Sequence, residues 1–315
     1  GRDGELTQRG ALQHKQIAER MLKNFPQIFA GKTNVDAKST VVIRCILSME
    51  NALQEMTKMN PQLNITHDAS YHDMYYMNYD DTLLFKKRMP TSAMVPYTEF
   101  CKNHEHPERV MRLLFNDDDY WKNHLNANKL YEVLFKQASN VQSTELRKSM
   151  SLYDLFTDDE IYDLWQINNA WWYINYGACP LNGGKQPYSQ RNLLRKIITD
   201  ADSCIALPHP GATLRYGHDT MVMPLTCLMD LDGMGMQVSD LEQLAYKGWN
   251  NYRIFPMACN IQLVFYQKKG SKDVLVKVLR NENEATLPVK TDIAPYYHWK
   301  DVRQYYLDKL NKFTE

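Results

Sequence analysis

The order of the secondary-structure patterns at the start of the chain constrains the fold most strongly. Residues 6–29 carry apolar side chains at close to helical spacing, and Thr7 is in position to cap that helix. Residues 35–44 are rich in β-branched side chains, which predicts a short buried strand. Residues 45–58 return to helical spacing. A helix, a strand and a helix in this order predict an α/β fold, with helices layered on a sheet.

The middle of the chain has a different character. From residue 80 to residue 207, strand-like patterns give way to helical periodicity separated by polar connecting segments. We interpret residues 80–207 as a large helical insertion into a discontinuous α/β core made of residues 1–79 and 208–315. An aromatic cluster in the insertion either lines a pocket or forms a hydrophobic core; its members are Trp165, Trp171, Trp172, Tyr173 and Tyr176.

The α/β pattern resumes after Pro208. Residues 212–217 predict another short strand. Alternating apolar residues over 260–267 and 273–280, with a polar turn between them, predict a β-hairpin. Apolar residues at helical spacing over 299–313 predict a helix that closes the core.

The charge balance excludes one class of partner. The chain has 37 basic and 37 acidic side chains among 315 residues, and no run of Lys or Arg stands out. Binding of nucleic acid by counterion release needs concentrated positive charge. No nucleic-acid partner is therefore predicted, and any anion site must be local. No segment approaches the ~20 consecutive apolar residues of a membrane-spanning helix, so no membrane span is predicted either.

The cysteines do not indicate a metal site. The six cysteines include no Cys-x-x-Cys pair and no cluster with histidine, so neither zinc nor another metal is predicted. If the protein is exported, up to three disulfides can form; buried free thiols are the alternative. The cysteine count alone leaves both open.

Two predicted strand ends carry side chains suited to phosphate chemistry. Arg44 ends the first predicted strand, and its guanidinium can form paired hydrogen bonds with a phosphate. His218 and Asp219 lie between a predicted strand and a helix. There an imidazole can bind an anion and a carboxyl group can protonate a leaving group. The structural alternatives are a solvated or ion-paired Arg44, and an Asp219 that caps the following helix.

Together with their surroundings, these residues resemble the histidine acid phosphatase family, which is branch 2 of the histidine phosphatase superfamily. The resembling segments follow the family's order: Gly4-Glu5-Leu6-Thr7 with Gly10 and Gln13-His14, Ser39-Thr40 with Arg44 and Ser48, and Gly217-His218-Asp219-Thr220. The later segments 256–260 and 264–266 are most similar to the branch that contains multiple inositol polyphosphate phosphatases and phytases.

The resemblance implies a two-step hydrolysis of phosphomonoesters through a phosphohistidine, with inositol polyphosphates or related phosphomonoesters as substrates. By position, Arg44 resembles the family's phosphate-binding arginine, His218 its second phosphate-contacting histidine, and Asp219 its proton donor. The implied fold is a three-layer α/β core like that of phosphoglycerate mutase, with a large helical cap insertion over the site. The family is mostly exported, so a periplasmic or secreted location is implied, and no cofactor is implied.

One element of the family pattern is absent from the sequence. The family's Arg-His-Gly-x-Arg-x-Pro segment, on the first core strand, supplies the nucleophilic histidine, and the 315 residues contain no Arg-His-Gly. We therefore expect a truncated chain that lacks the first core strand and is inactive by itself. A non-catalytic protein that binds phosphate ligands is the alternative. Animal inositol polyphosphate phosphatases carry His-Ala-Glu where this chain has His218 and Asp219, which leaves the exact substrate open.

Three further residues are candidates for the substrate pocket. Lys38, on the first predicted strand, can contact an additional phosphate of a polyphosphorylated substrate. His67 and His72 follow a predicted strand end, where pocket residues often lie. Neither histidine has the flanking Arg and Gly of the nucleophile segment, so a surface or core position is the alternative for both.

Overall fold

A computed structural model describes residues 4–78 and 81–314. Its helices are α1 (Gln8–Asn24), α2 (Ile43–Met59), α3 (Thr82–Phe85), α4 (Thr91–His104), α5 (Glu108–Leu114), α6 (Asp118–His124), α7 (Ala127–Val141), α8 (Asp158–Tyr176), α9 (Arg191–Ile205), α10 (Asp219–Met229), α11 (Asn251–Ile254) and α12 (Trp299–Asn311). Its strands are β1 (Asn34–Ser39), β2 (Asn64–Asp68), β3 (Gly211–Tyr216), β4 (Ile261–Gln267), β5 (Val274–Arg280), β6 (Asn283–Glu284) and β7 (Tyr297–His298). Within the two described ranges, no helix combines the length and apolar character that crossing a membrane requires.

Three strands form a parallel sheet in the order β2–β1–β3, with the first strand of the chain at its centre. Val35 of β1 pairs with Ile65 on one side and with Ala212 on the other. Val35 and Ala37 are buried in a core that they share with apolar side chains of α1 and α2. The predicted α/β fold class is confirmed, and so is the first helix, which Thr7 caps.

The first strand ends earlier than the sequence pattern predicts. Strand β1 stops at Ser39, and Val42 is already the N-cap of α2, since its carbonyl accepts a hydrogen bond from the Cys45 N–H at 2.9 Å. The prediction of a strand over residues 35–44 was therefore wrong for its last five residues. The β-branched preference is weak beside the hydrogen bonds and packing of a helix. As a result, Arg44 lies in the first turn of α2 and not at a strand end.

A second, antiparallel sheet follows in the order β4–β5–β6, with β7 also paired to β5. Strands β4 and β5 form the predicted hairpin, in which Ile261 lies opposite Arg280 and Gln267 opposite Val274. Apolar side chains of β5 share one core with α9, α10 and α12. Helix α12 confirms the predicted closing helix.

The segment that connects β2 and β3, two strands of the parallel sheet, is helical, as predicted. Helices α5, α6 and α7 build a separate core with the first half of α8. Helices α4 and α8 pack instead against α10, and α9 packs against α10, β5 and α12. The predicted domain limits stay a prediction: the limit at residues 79 and 80 lies outside the described residues, and α9 belongs to the core that contains β5.

Strands β3 and β4 border one cavity of about 1980 Å³. In the part of the chain that the structure describes, each strand has a hydrogen-bonded neighbour on one side only. Both unpaired edges line this cavity along their whole length. Apolar side chains cover its two faces, including Ile17 and Met21 of α1 and Leu193 of α9. The core thus consists of two sheets whose unpaired edges face one cavity.

One histidine links three parts of the helical region. His104, at the end of α4, places Nδ1 2.7 Å from a carboxylate oxygen of Asp163 on α8. Its Nε2 lies 3.0 Å from a carboxylate oxygen of Glu242, in the segment after α10. Burial acts to lower the pKa of His104, but hydrogen bonds and charges of the two carboxylates outweigh it, so the pKa is raised. The protonated imidazole therefore holds the three segments together.

Raising the pH is expected to weaken this link. Because the pKa of His104 is raised on folding, its stabilising contribution is fully present below its ordinary pKa of about 6.5. That contribution is lost as the pH rises through the folded-state value. We predict that the stability difference between the wild type and His104→Gln, measured by urea unfolding, is largest near about pH 5.5 and shrinks toward about pH 9. A difference that grows with pH contradicts the prediction.

Candidate active site

The carboxyl end of β3 and the first turns of α2 and α10 meet at one end of the cavity. Arg44 lies in the first turn of α2, His218 is the N-cap of α10, and Asp219 is the first residue of that helix. All three line the cavity. Beyond the carboxyl ends of parallel strands, helix N-termini present free backbone N–H groups, which favours the binding of anions. The three residues predicted from the sequence are therefore brought together at a position suited to an anion.

His218 is held by contacts to both ring nitrogens. Its Nε2 lies 3.1 Å from Oγ1 of Thr40, and its Nδ1 lies 3.4 Å from Nη2 of Arg44. The thiol of Cys45 packs against the ring, 3.7 Å from Nε2 and 3.8 Å from Nδ1. The side chain is buried, and this burial, together with the charge of Arg44, lowers the pKa of His218 to about 4. The imidazole is therefore neutral at pH 7.

Asp219 is placed to exchange a proton within the cavity. Its Oδ1 accepts a hydrogen bond from the Thr220 N–H at 2.8 Å, but the N-cap position itself belongs to His218. The carboxyl is accessible in the cavity, while the surrounding walls reduce its solvation. This desolvation raises the pKa of Asp219, against the lowering effects of the Thr220 N–H and the Arg44 charge. A carboxyl with a raised pKa holds a proton more readily, as a general acid requires.

The other three predicted pocket residues lie elsewhere. The Nζ atom of Lys38 is 3.1 Å from a carboxylate oxygen of Asp73. Nδ1 of His67 is 2.7 Å from a carboxylate oxygen of Glu50. His72 is exposed in the 3₁₀ turn over residues 71–75. None of the three lines the cavity that contains Arg44 and His218.

Some members of the aromatic cluster of the insertion line the cavity, and the others are buried in a hydrophobic core. Trp165, Trp171 and Trp172 line the cavity. Tyr173 and Tyr176 are buried in the core that α4, α8 and α10 share. The tryptophans therefore form an apolar wall of the same cavity that Arg44, His218 and Asp219 line.

Sequence reasoning missed two residues that contact His218, namely Thr40 and Cys45. Thr40 entered only as part of a motif, and Cys45 only as one of six dispersed cysteines. The available signal was positional: Thr40 directly follows the carboxyl end of β1, the parallel neighbour of β3. Side chains that follow two neighbouring parallel strands lie close together. All six cysteines are free thiols, which answers the question that the cysteine count left open.

The protein has an α/β fold in which Arg44, His218 and Asp219 meet in one cavity at the carboxyl end of the parallel sheet. The sequence profile of the histidine phosphatase superfamily (branch 2) matches residues 1–281. The chain belongs to this superfamily. It is 22% identical to multiple inositol polyphosphate phosphatase 1 of Gallus gallus over 322 residues, which cover 95% of this chain and 69% of that protein.

Solved structures show the same fold. Multiple inositol polyphosphate phosphatase of Bifidobacterium longum, in complex with inositol hexasulfate, superposes with a TM-score of 0.80 at 15% sequence identity. The match covers 96% of this chain and 79% of that one. The phytase from D. castellii superposes with a TM-score of 0.66 at 10% identity, covering 96% of this chain and 64% of the phytase. The α/β phosphatase fold expected from the resemblance is thereby confirmed.

Replacing Arg44 tests the anion site directly. We predict that Arg44→Met weakens the binding of inorganic phosphate by about tenfold or more, because a hydrogen-bonded charge contributes roughly 1.5–3 kcal/mol. Isothermal titration calorimetry measures the effect. Arg195→Met is the matched control, since Arg195 is exposed on α9, bonds Asn311 and lies outside the cavity lining. Equal losses in the two variants contradict this assignment of Arg44.

Proposed function

We propose that the protein is a histidine-type phosphomonoesterase that acts on inositol polyphosphates or related phosphomonoesters. The observation that carries the proposal is the meeting of Arg44, His218 and Asp219 at the N-terminus of α10. Family membership supports the same reaction class. Arg44 and His218 are assigned to phosphate binding and Asp219 to proton transfer.

The proposed reaction has two steps. A nucleophilic histidine attacks phosphorus, an N–P bond forms, and the P–O bond to the alcohol breaks while Asp219 transfers its proton to the departing oxygen. Water then attacks the phosphohistidine, the N–P bond breaks, and Asp219 takes up the proton from that water. Arg44 and the N–H groups at the start of α10 stabilise the charge on the phosphoryl oxygens in both steps.

We assign the nucleophile to a strand that occupies the cavity between β3 and β4. The 315 residues contain no Arg-His-Gly segment. Strand β3 has six residues and β4 has seven, and their unpaired edges can accept a strand of similar length. Cys259, just before β4, lies within electrostatic range of Asp219. A strand parallel to β3 therefore ends beside the anion site, where its last residues can reach a bound phosphate.

The substrate class is supported by the cavity lining. Lys129 and Lys136 line the cavity from α7, and a spacing of seven residues puts them on one helix face. Lys129 Nζ lies 3.1 Å from Glu132 Oε2, which also lines the cavity, so a second phosphate would bind Lys136 directly and Lys129 in competition with Glu132. The Trp171 and Trp172 wall can pack against the ring carbons of the alcohol. The Gallus gallus relative, named a multiple inositol polyphosphate phosphatase, supports the same class.

A non-catalytic phosphate-binding protein is the second candidate. The absence of Arg-His-Gly from these residues favours it, because Arg44 and His218 can bind phosphate without a nucleophile. The two candidates differ in turnover. Calorimetry with inositol hexakisphosphate beside a phosphate-release assay separates binding from hydrolysis.

The location is also part of the proposal. A periplasmic or secreted location follows from the family resemblance and is not needed for the chemistry. Fractionation of the native cells, with detection of the protein by antibody, tests it.

The first prediction from the proposed function is that an added peptide restores activity. The 315-residue chain alone is expected to show no turnover of an aryl phosphate, because the covalent step lacks a nucleophile. Adding a peptide with an apolar run of about seven residues, followed by Arg-His-Gly-x-Arg-x-Pro, is expected to restore turnover. A peptide with Gln in place of that His is the matched control. Turnover without peptide, or equal turnover with both peptides, contradicts the assignment.

The second prediction concerns the proton donor. In the peptide-complemented protein, Asp219→Asn is expected to slow hydrolysis of an alkyl phosphate by about 10²–10⁴-fold, the usual size of general acid catalysis. Activated aryl phosphates, whose leaving groups need no proton, are expected to lose much less. Steady-state rates on the two ester types provide the measurement. Equal losses on both types identify Asp219 as a structural residue.

A further inference from the structure

Two side chains form a hydrogen-bonded set behind His218. Thr40 is fully buried, and its Oγ1 lies 3.1 Å from His218 Nε2. The thiol of Cys45 donates to the Gly217 carbonyl at 3.1 Å. Burial raises the pKa of Cys45, although a hydrogen bond with Thr40 acts in the opposite direction, so the group is a thiol at neutral pH. The hydrogen bond from Cys45 thus fixes the turn that carries His218 to the first turn of α2.

The donors around the ring determine which nitrogen carries the proton. The Arg44 guanidinium only donates hydrogen bonds, and its Nη2 lies 3.4 Å from His218 Nδ1. The Nδ1 atom of a neutral imidazole must therefore present its lone pair to Arg44. The ring proton is then on Nε2, where the Thr40 hydroxyl can accept it. The Thr40 hydroxyl can in turn donate to Cys45, with which it shares a hydrogen bond.

We propose that Thr40 is a positioning residue that holds the proton of neutral His218 on Nε2, so that Nδ1 takes up a solvent proton when a phosphate-like dianion binds beside Arg44. Without that proton, the Nδ1 lone pair repels an anion; with it, Nδ1 donates a hydrogen bond. Thr40 accepts from Nε2 in both states and keeps the ring in one orientation. The inference rests on the proposed function only in taking the position beside Arg44 as the phosphate site.

Several other groups near His218 can titrate or carry charge. Among the residues that the structure describes, they are Arg44 and Cys45 of α2, Asp219 of α10, Cys259 before β4 and His14 of α1, which packs on Tyr216. Burial lowers the pKa of His218 to about 4, with a smaller effect from Arg44. Without a bound anion, His218 is therefore neutral over most of the pH range in which a dianion is present in solution. The test must separate its proton from that of Asp219.

The first measurement is the tautomer of His218. Nitrogen-15 spectra of ring-labelled histidine at pH 7 report which ring nitrogen is protonated, and the signal that His218→Gln removes identifies His218. We expect protonation on Nε2 in the wild type and in Thr40→Ser, and loss of this single form in Thr40→Val. A wild-type His218 protonated on Nδ1 overturns the proposal, even if Thr40→Val fails to fold.

The second measurement is the linkage between anion and proton. The probe is inorganic sulfate, which stays a dianion between about pH 5 and 7, and all proteins carry Asp219→Asn to remove that carboxyl. We expect sulfate affinity to rise about tenfold per pH unit of acidification, because only the protonated fraction of His218 binds well. Adding Thr40→Val should flatten this pH dependence, because a neutral ring with its proton on Nδ1 can donate to sulfate without taking up a proton, whereas Thr40→Ser should preserve the dependence.

The possible outcomes distinguish a failure of the proposed role of Thr40 from a failure of the proposed function. If sulfate binds without pH dependence, or if the dependence persists in His218→Gln, the proton goes elsewhere and the proposal is overturned. If sulfate binding shows the same pH dependence in Thr40→Val as in Thr40→Ser, Thr40 does not position the proton of His218. If sulfate does not bind and Arg44→Met changes nothing, the proposed function fails, while the tautomer spectra still decide the role of Thr40.

Discussion

The in-register parallel pairing of β1 with β3 is the constraint on which the site depends. Ser39 pairs with Tyr216, and the next backbone hydrogen bond joins the Thr40 N–H to the Tyr216 carbonyl. The two chains then diverge into α2 and α10, one carrying Arg44 and the other His218. A shift of one residue in this pairing would turn every side chain of one strand to the opposite face. Thr40 could then no longer reach His218.

The packing behind the sheet maintains that register. Ala37 of β1 is fully buried, and Met49 and Met56 of α2 pack in the same core. Helix α1 completes this core through Ala18 and Leu22. Because protein interiors are close-packed, a shift of β1 along β3 would open cavities on this face. Apolar packing on one side of the sheet therefore fixes the distances between the polar groups that follow the carboxyl ends of β1 and β3.

Local patterns in the sequence were sufficient for much of the fold. Helix α1, the β4–β5 hairpin and helix α12 all follow from periodicity within a few residues of each element. The β-branched run at residues 41–43 misled the prediction, because the start of α2 depends on packing that no local pattern contains. The partners of individual side chains were harder to predict from the sequence than the helices and strands. The ion pair that takes Lys38 away from the cavity involves Asp73, 35 residues further along the chain.

Some residues of the candidate site could be predicted from the sequence, and others could not. Arg44, His218 and Asp219 are recognisable because their spacing and flanking residues resemble a known motif. Thr40 and Cys45 contact His218 across separations of 178 and 173 residues, so only the pairing of β1 with β3 relates them. The balanced charge of the chain is compatible with this arrangement, since one buried neutral imidazole and one accessible guanidinium define the site. The unpaired edges of β3 and β4, one from each sheet, also line the cavity that contains these residues. An unpaired strand edge can pair with any extended chain, so we expect the unpaired edges of β3 and β4 to favour self-association in concentrated protein.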